Sequence, residues 1–139
     1  MSRRLARQTA LQTLYQLDVA KSDVQEALSH RLAEVELEQA DREYTEFLVR
    51  DVIGSKEEID TLLAEFSTDW KVERMNFVDR NIMRLAVCEL INTSRDVPVK
   101  VCINEAVELA KRFSDEKAAR FINGVLGGIA DYYSLDDTK

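Results

Sequence analysis

Apolar residues recur along this chain at three- and four-residue intervals, the period of helices that bury one face. Ala6, Ala10, Thr13, Leu14 and Leu17 form the first stripe and predict a helix from a Ser2 N-cap to about Ala20. Arg4, Gln8 and Tyr15 fall on a different face of that helix, and Arg3 and Arg7 border the stripe. Val24, Ala27, Leu28 and Leu32 predict a second helix running to about Leu37, capped by Asp23. From near Asp41 the apolar positions continue through Tyr44, Phe47, Leu48, Val52, Ile59, Leu62 and Leu63 to Phe66. Gly54 sits in the middle, and Ser55 with Glu58 has the form of a capping box. The apolar pattern does not reset there, which predicts one long helix through Gly54. Ser67-Thr68-Asp69 reads as a stop and a new cap, and Trp70 to Arg74 as a short turn.

The stretch from Asn76 to Thr93 carries two stripes. Val78, Ile82, Leu85 and Ala86 make one; Phe77, Val87, Cys88 and Ile91 make a second, roughly opposite. A helix apolar on two sides is packed on both, so this one is expected to join two halves of the fold. Asp96-Val97-Pro98 opens the next helix, whose stripe runs from Val99 to Phe113. Ser114 is expected to cap the last helix, with Asp115 and Glu116 in its first turn, where the helix dipole favours acids. Ala118, Ile122, Val125, Leu126 and Ile129 face inward, Gly127-Gly128 weaken the end, and residues 134–139 are expected to fray. The reading is all-α: a single domain over residues 1–139 with six to seven helices, in halves of roughly 1–70 and 71–133.

Composition agrees. The 139 residues hold only four Gly and one Pro, too few for a strand-rich fold full of turns. With 45% hydrophobic and 32% charged residues the chain is too apolar to be disordered. No apolar run approaches the ~18 residues that span a bilayer. Met1-Ser2-Arg3-Arg4 does not open a signal peptide, and Cys88 and Cys102 fit no metal spacing, so a reducing cytoplasm is expected. One His, no Gly-rich phosphate loop and no nucleophile–base pair argue against an enzyme and against a cofactor or metal. His30 reads as a surface residue, and the cysteines read as core. Glu89 falls on an apolar stripe, so it needs a buried partner that the sequence does not identify.

The net charge of −7 disfavours phosphate binding at large, but the charge is uneven. Residues 1–22 carry four cations and one acid, whereas residues 23–75 carry six cations and fifteen acids. Arg3, Arg4 and Arg7 are the densest basic cluster, read either as a phosphate-contacting site or as a solubilising end. Tyr15 either stacks on a base or packs between helices. Phe121, with Lys117 one turn before it and Arg120 further out, is either a core ring or a base-stacking ring flanked by positive charge. Glu73 and Asp79, taken alone, read as solvated carboxylates.

Several stretches together resemble the NusB family of bacterial transcription antitermination factors. They are Arg3-Arg4-Leu5-Ala6-Arg7 with Ala10-Leu11-Gln12-Thr13-Leu14-Tyr15; Met83-Arg84-Leu85-Ala86-Val87-Cys88-Glu89-Leu90; Asp96-Val97-Pro98-Val99-Lys100-Val101-Cys102-Ile103-Asn104-Glu105-Ala106-Val107-Glu108-Leu109-Ala110-Lys111; and Phe121-Ile122-Asn123-Gly124-Val125-Leu126. The acidic stretch 21–70 matches only in helical pattern. The resemblance implies two small helical bundles and binding of boxA RNA, a single-stranded element of ribosomal RNA operons, together with the ribosomal protein NusE. It further implies loading onto the RNA polymerase elongation complex with other Nus factors, so that terminators are read through. It implies RNA contacts from Arg3, Arg4, Arg7, Tyr15, Lys117, Arg120 and Phe121, and partner contacts from Glu73 and Asp79. Family members vary around Lys117, some carrying an acid there. The same module accompanies some ribosomal RNA cytosine methyltransferases; this chain ends where their catalytic part would begin, so no methyl transfer is expected. The competing class is a helical protein–protein scaffold or homodimer that never touches RNA.

Overall fold

A computed structural model describes residues 3–67, 71, 75–92 and 97–133. Among these residues the chain forms seven α-helices: α1 (Arg3–Ala20), α2 (Val24–Ala33), α3 (Gln39–Gly54), α4 (Lys56–Phe66), α5 (Phe77–Val87), α6 (Val99–Phe113) and α7 (Glu116–Tyr132). A π-helical turn, Cys88–Asn92, continues α5. The expected Ser2 cap, the turn from Trp70 to Arg74, the Thr68-Asp69 cap, Asp96 and the tail 134–139 lie outside the described residues.

Local chemistry sets most boundaries. Asp23 caps α2 by accepting from the Glu26 N–H at 3.1 Å, as its position predicts. Asn76 caps α5 through the Asp79 N–H at 2.7 Å. The expected Ser114 cap is corrected: Asp115 caps α7, accepting from the Ala118 N–H at 2.7 Å, while Ser114 closes α6. A carboxylate there satisfies an orphan N–H and also interacts favourably with the positive end of the helix dipole.

The long helix through Gly54 is also corrected. The chain breaks at Ser55 (φ −115°, ψ 17°), which ends α3 and precedes α4. The break is a single residue wide: the Ser55 N–H still donates to Asp51 and the Ile59 N–H to the Ser55 carbonyl. The apolar spacing therefore survives across a bend, and no capping box forms. α2 stops at Ala33, short of Leu37, and Leu37 packs on the core from the connecting segment.

α1, α2 and α3 pack together, and α5 lies against α1 on one side and against α4, α6 and α7 on the other. α4 packs against α5 and α7 as well as α3. One buried cluster runs through both groups, from Leu14, Leu28 and Leu48 to Ile82, Leu126 and Ile129. Buried ion pairs reinforce the junction. Asp18 of α1 accepts two hydrogen bonds from Arg80, at 2.8 and 2.7 Å, and one from Arg84 at 3.2 Å. Arg84 in turn reaches both oxygens of Asp60 on α4, each at 2.8 Å. These arginines, with Asn81, hold the Asp18 carboxyl at about 2 against the opposing effect of its own burial.

Candidate nucleic-acid interface

α1 opens with Arg3 and Arg4 and has no acid in its first turn. Cations at a helix N-terminus oppose the dipole, so these arginines need other support. Each finds a different one. The Arg3 guanidinium lies 3.6 Å above the Tyr44 ring of α3. Arg4 reaches across to α6, where its Nε and Nη2 donate to the two oxygens of Glu105 at 3.0 and 2.7 Å. The Arg4 side chain is still 67% exposed. Its hydrogen bonds hold the Glu105 carboxyl below its ordinary value.

Arg7 differs from the expectation. Its side chain is 5% exposed, and its Nε donates to Glu89 at 2.8 Å. The Tyr44 hydroxyl donates to the other Glu89 oxygen. Glu89 thereby has its missing partners, and Arg7 is corrected from a phosphate contact to a core residue. It lies one turn further along nearly the same face as Arg3 and Arg4, about 5 Å deeper into the fold, where Glu89 receives its head group.

Arg4, Gln8, Glu105, Glu108, Leu109 and Arg112 line a groove of about 100 Å3 between α1 and α6. α7 packs along α6, so Arg4 and Phe121 sit on helices that flank the same element. Lys117 and Arg120 are exposed; Phe121 is half-buried and packed against the core. Asp115, by capping α7, fixes where Lys117 and Phe121 emerge one turn apart.

Tyr15 lies further along α1, away from the Arg4 groove. It is 42% exposed, meets Phe77 edge-on at 6.2 Å, and lines a groove of about 260 Å3 with Leu11, Gln12, Arg31, Val78 and Phe113. Asp79 is not the solvated acid that its sequence context predicts: it is 8% exposed, and its Oδ1 is buried without a hydrogen-bond partner among the described residues. Burial, reinforced by nearby Asp115, raises its carboxyl above the ordinary value. Glu73 lies outside the described residues. Glu105 and Arg112, spaced seven apart on α6, are site residues that sequence reading missed; the spacing itself was the available signal.

Fold and surface together define an all-helical protein of two packed groups, with exposed arginines at the head of its first helix and an apolar groove further along it. The NusB family model matches residues 4–131, and this chain belongs to the NusB family. It is 45% identical over 129 residues to the transcription antitermination protein NusB of Bacillus pumilus (strain SAFR-032), covering 93% of this chain and 95% of the relative. The Bacillus subtilis (strain 168) protein of that name has the same identity and coverage. Among solved structures, NusB of T. maritima superposes with a TM-score of 0.87 at 32% identity, covering 94% of this chain and 92% of that one. A crystal structure described as antitermination factors NusB and NusE in complex with dsRNA superposes with a TM-score of 0.84 at 32% identity, covering 96% of this chain and 100% of that one.

Proposed function

We propose that this chain is a transcription antitermination factor that binds boxA RNA of ribosomal RNA operons together with NusE. With other Nus factors it acts on the RNA polymerase elongation complex so that terminators are read through. Family membership supports the reading, and one observation carries its chemistry: Arg3 and Arg4 stand exposed at the head of α1 in a chain whose net charge is −7. Phosphate affinity comes from cations, so in an acidic protein the exposed arginines mark where RNA lies. The proposed RNA surface is Arg3, Arg4, Lys117, Arg120 and Phe121, the last as the ring proposed to stack on a base. Arg7 serves it from below.

The groove around Tyr15 and Phe113 is the proposed NusE face, with Asp79 beneath it. Aromatic walls around an apolar depression suit a partner's anchoring side chain. Catalysis forms no part of this reading. The proposed site of action is the cytoplasm; among the described residues no helix is long and apolar enough to cross a membrane. The test is a titration of boxA RNA and of a scrambled RNA of equal length against the chain with NusE present. Preference for boxA supports the reading, and equal affinity for both overturns it.

A further inference from the structure

We propose that Tyr44 is a positioning residue for RNA binding: its ring fixes the Arg3 guanidinium at the head of α1, and the buried Arg7–Glu89 pair fixes the ring. The proposal rests on the RNA surface assigned above and adds to it a residue that does not touch RNA.

The four side chains form a line from core to surface. Arg7 is 5% exposed and Glu89 2% exposed, and they meet at 2.8 Å. Glu89 points inward from the π-helical turn that extends α5. Its second oxygen accepts the Tyr44 hydroxyl, which orients the ring from its buried end. Burial, with Glu89 alongside, pushes that hydroxyl far above the ordinary phenol range, so it stays a donor at any working pH. The outer face of the ring carries Arg3, whose guanidinium carbon sits 3.6 Å from the ring centre.

Stacking holds a guanidinium by its face and leaves its N–H edge for other partners. Arg4 is held the other way, with Glu105 already occupying two of its donors. Arg3 is therefore the arginine pre-set to meet a phosphate without giving up a hydrogen bond. The ring also limits the freedom of a long side chain at the chain's beginning, which lowers the entropy lost on binding.

A double-mutant cycle tests this, with a boxA RNA oligonucleotide titrated against the chain in complex with NusE at several salt concentrations. Arg3→Ala is expected to weaken binding and reduce the slope of log affinity against log salt by about 0.7, the share of one single-strand phosphate contact. Tyr44→Leu is expected to weaken binding about two- to fivefold, the range of one exposed cation–π contact. The double variant is expected to bind no worse than Arg3→Ala alone. Tyr44→Phe, which keeps the ring, should lose less than Tyr44→Leu, and that loss should also vanish in the Arg3→Ala background. Losses that add in the double variants, or no loss in Tyr44→Leu, overturn the proposal. If Arg3→Ala is silent while Arg4→Ala weakens binding, the proposal fails and the RNA surface stands. If neither arginine matters, the RNA surface itself fails.

Discussion

Arg7 and Glu89 lie 82 positions apart in the chain, and their side chains meet at 2.8 Å inside the protein. This contact ties the first helix to the end of the central one and takes one of three clustered arginines out of solvent. Removing one partner of a buried pair leaves the other charge uncompensated. Arg7→Ala is therefore predicted to cost about 3–5 kcal/mol of stability. Arg3→Ala and Arg4→Ala, made at exposed positions, are predicted to cost far less. Denaturant unfolding of the three variants checks this; an equal loss in all three contradicts the assignment of Arg7 to the core.

The Arg4–Glu105 pair makes a different prediction. The carboxylate occupies two Arg4 donors and adds a negative charge where phosphates would run. Glu105→Gln keeps the shape and removes the charge. It is predicted to tighten RNA binding several-fold at low salt and less at high salt, because the effect is Coulombic. Weaker binding by this variant would show that Glu105 assists Arg4 instead of competing for it.

Acid should loosen the junction between the two helix groups. Against its own burial, Arg80, Asn81 and Arg84 hold the Asp18 carboxyl down to about 2 in the folded protein, below the 3.8 ordinary for an aspartate. Its folded value is depressed, so its contribution is present above pH ~4 and is lost as pH falls toward ~2. The loss is predicted to reach at most about 2 kcal/mol. Asp18→Asn should flatten that part of the stability–pH curve; an unchanged curve contradicts the proposed strength of the Arg80 and Arg84 contacts.

Lys21 ends α1 with φ at 55°, the left-handed conformation, while its N–H donates to the Leu17 carbonyl at 2.9 Å. A side chain there costs about 1 kcal/mol that glycine does not. Lys21→Gly is predicted to raise the melting temperature by roughly 4 °C. A lower melting temperature would mean that the lysine side chain does more for the helix end than its backbone costs.

The all-α fold was legible because each buried face repeats at helical spacing; the helix from Asn76 is central as expected, although Phe77 and Ile91 of its second stripe are exposed. Helix ends were less legible. The bend at Ser55 preserves the apolar spacing that would have flagged it, and Asp115 and Ser114 are adjacent residues that can both cap. The site was legible as a cluster but not as individual roles. Arg3, Arg4 and Arg7 look alike in a row; only the elements packed around α1 decide that Arg7 meets Glu89, Arg4 meets Glu105 and Arg3 stacks on Tyr44. Asp79 reads as solvated because an acid near a helix start ordinarily faces water, whereas the fold buries it with Ser114 and Asp115, remote in the chain, close by.

The central claim is that an acidic helical protein holds RNA through a small arginine surface and depends on NusE for the rest. Titrating a boxA RNA oligonucleotide with the chain alone, and then at saturating NusE, tests it most directly. The account predicts weak, strongly salt-dependent binding by the chain alone, a marked gain in affinity with NusE, and loss of most of that binding in the Arg3→Ala, Arg4→Ala double variant. An affinity that is unchanged by NusE and unaffected by removing both arginines would contradict it.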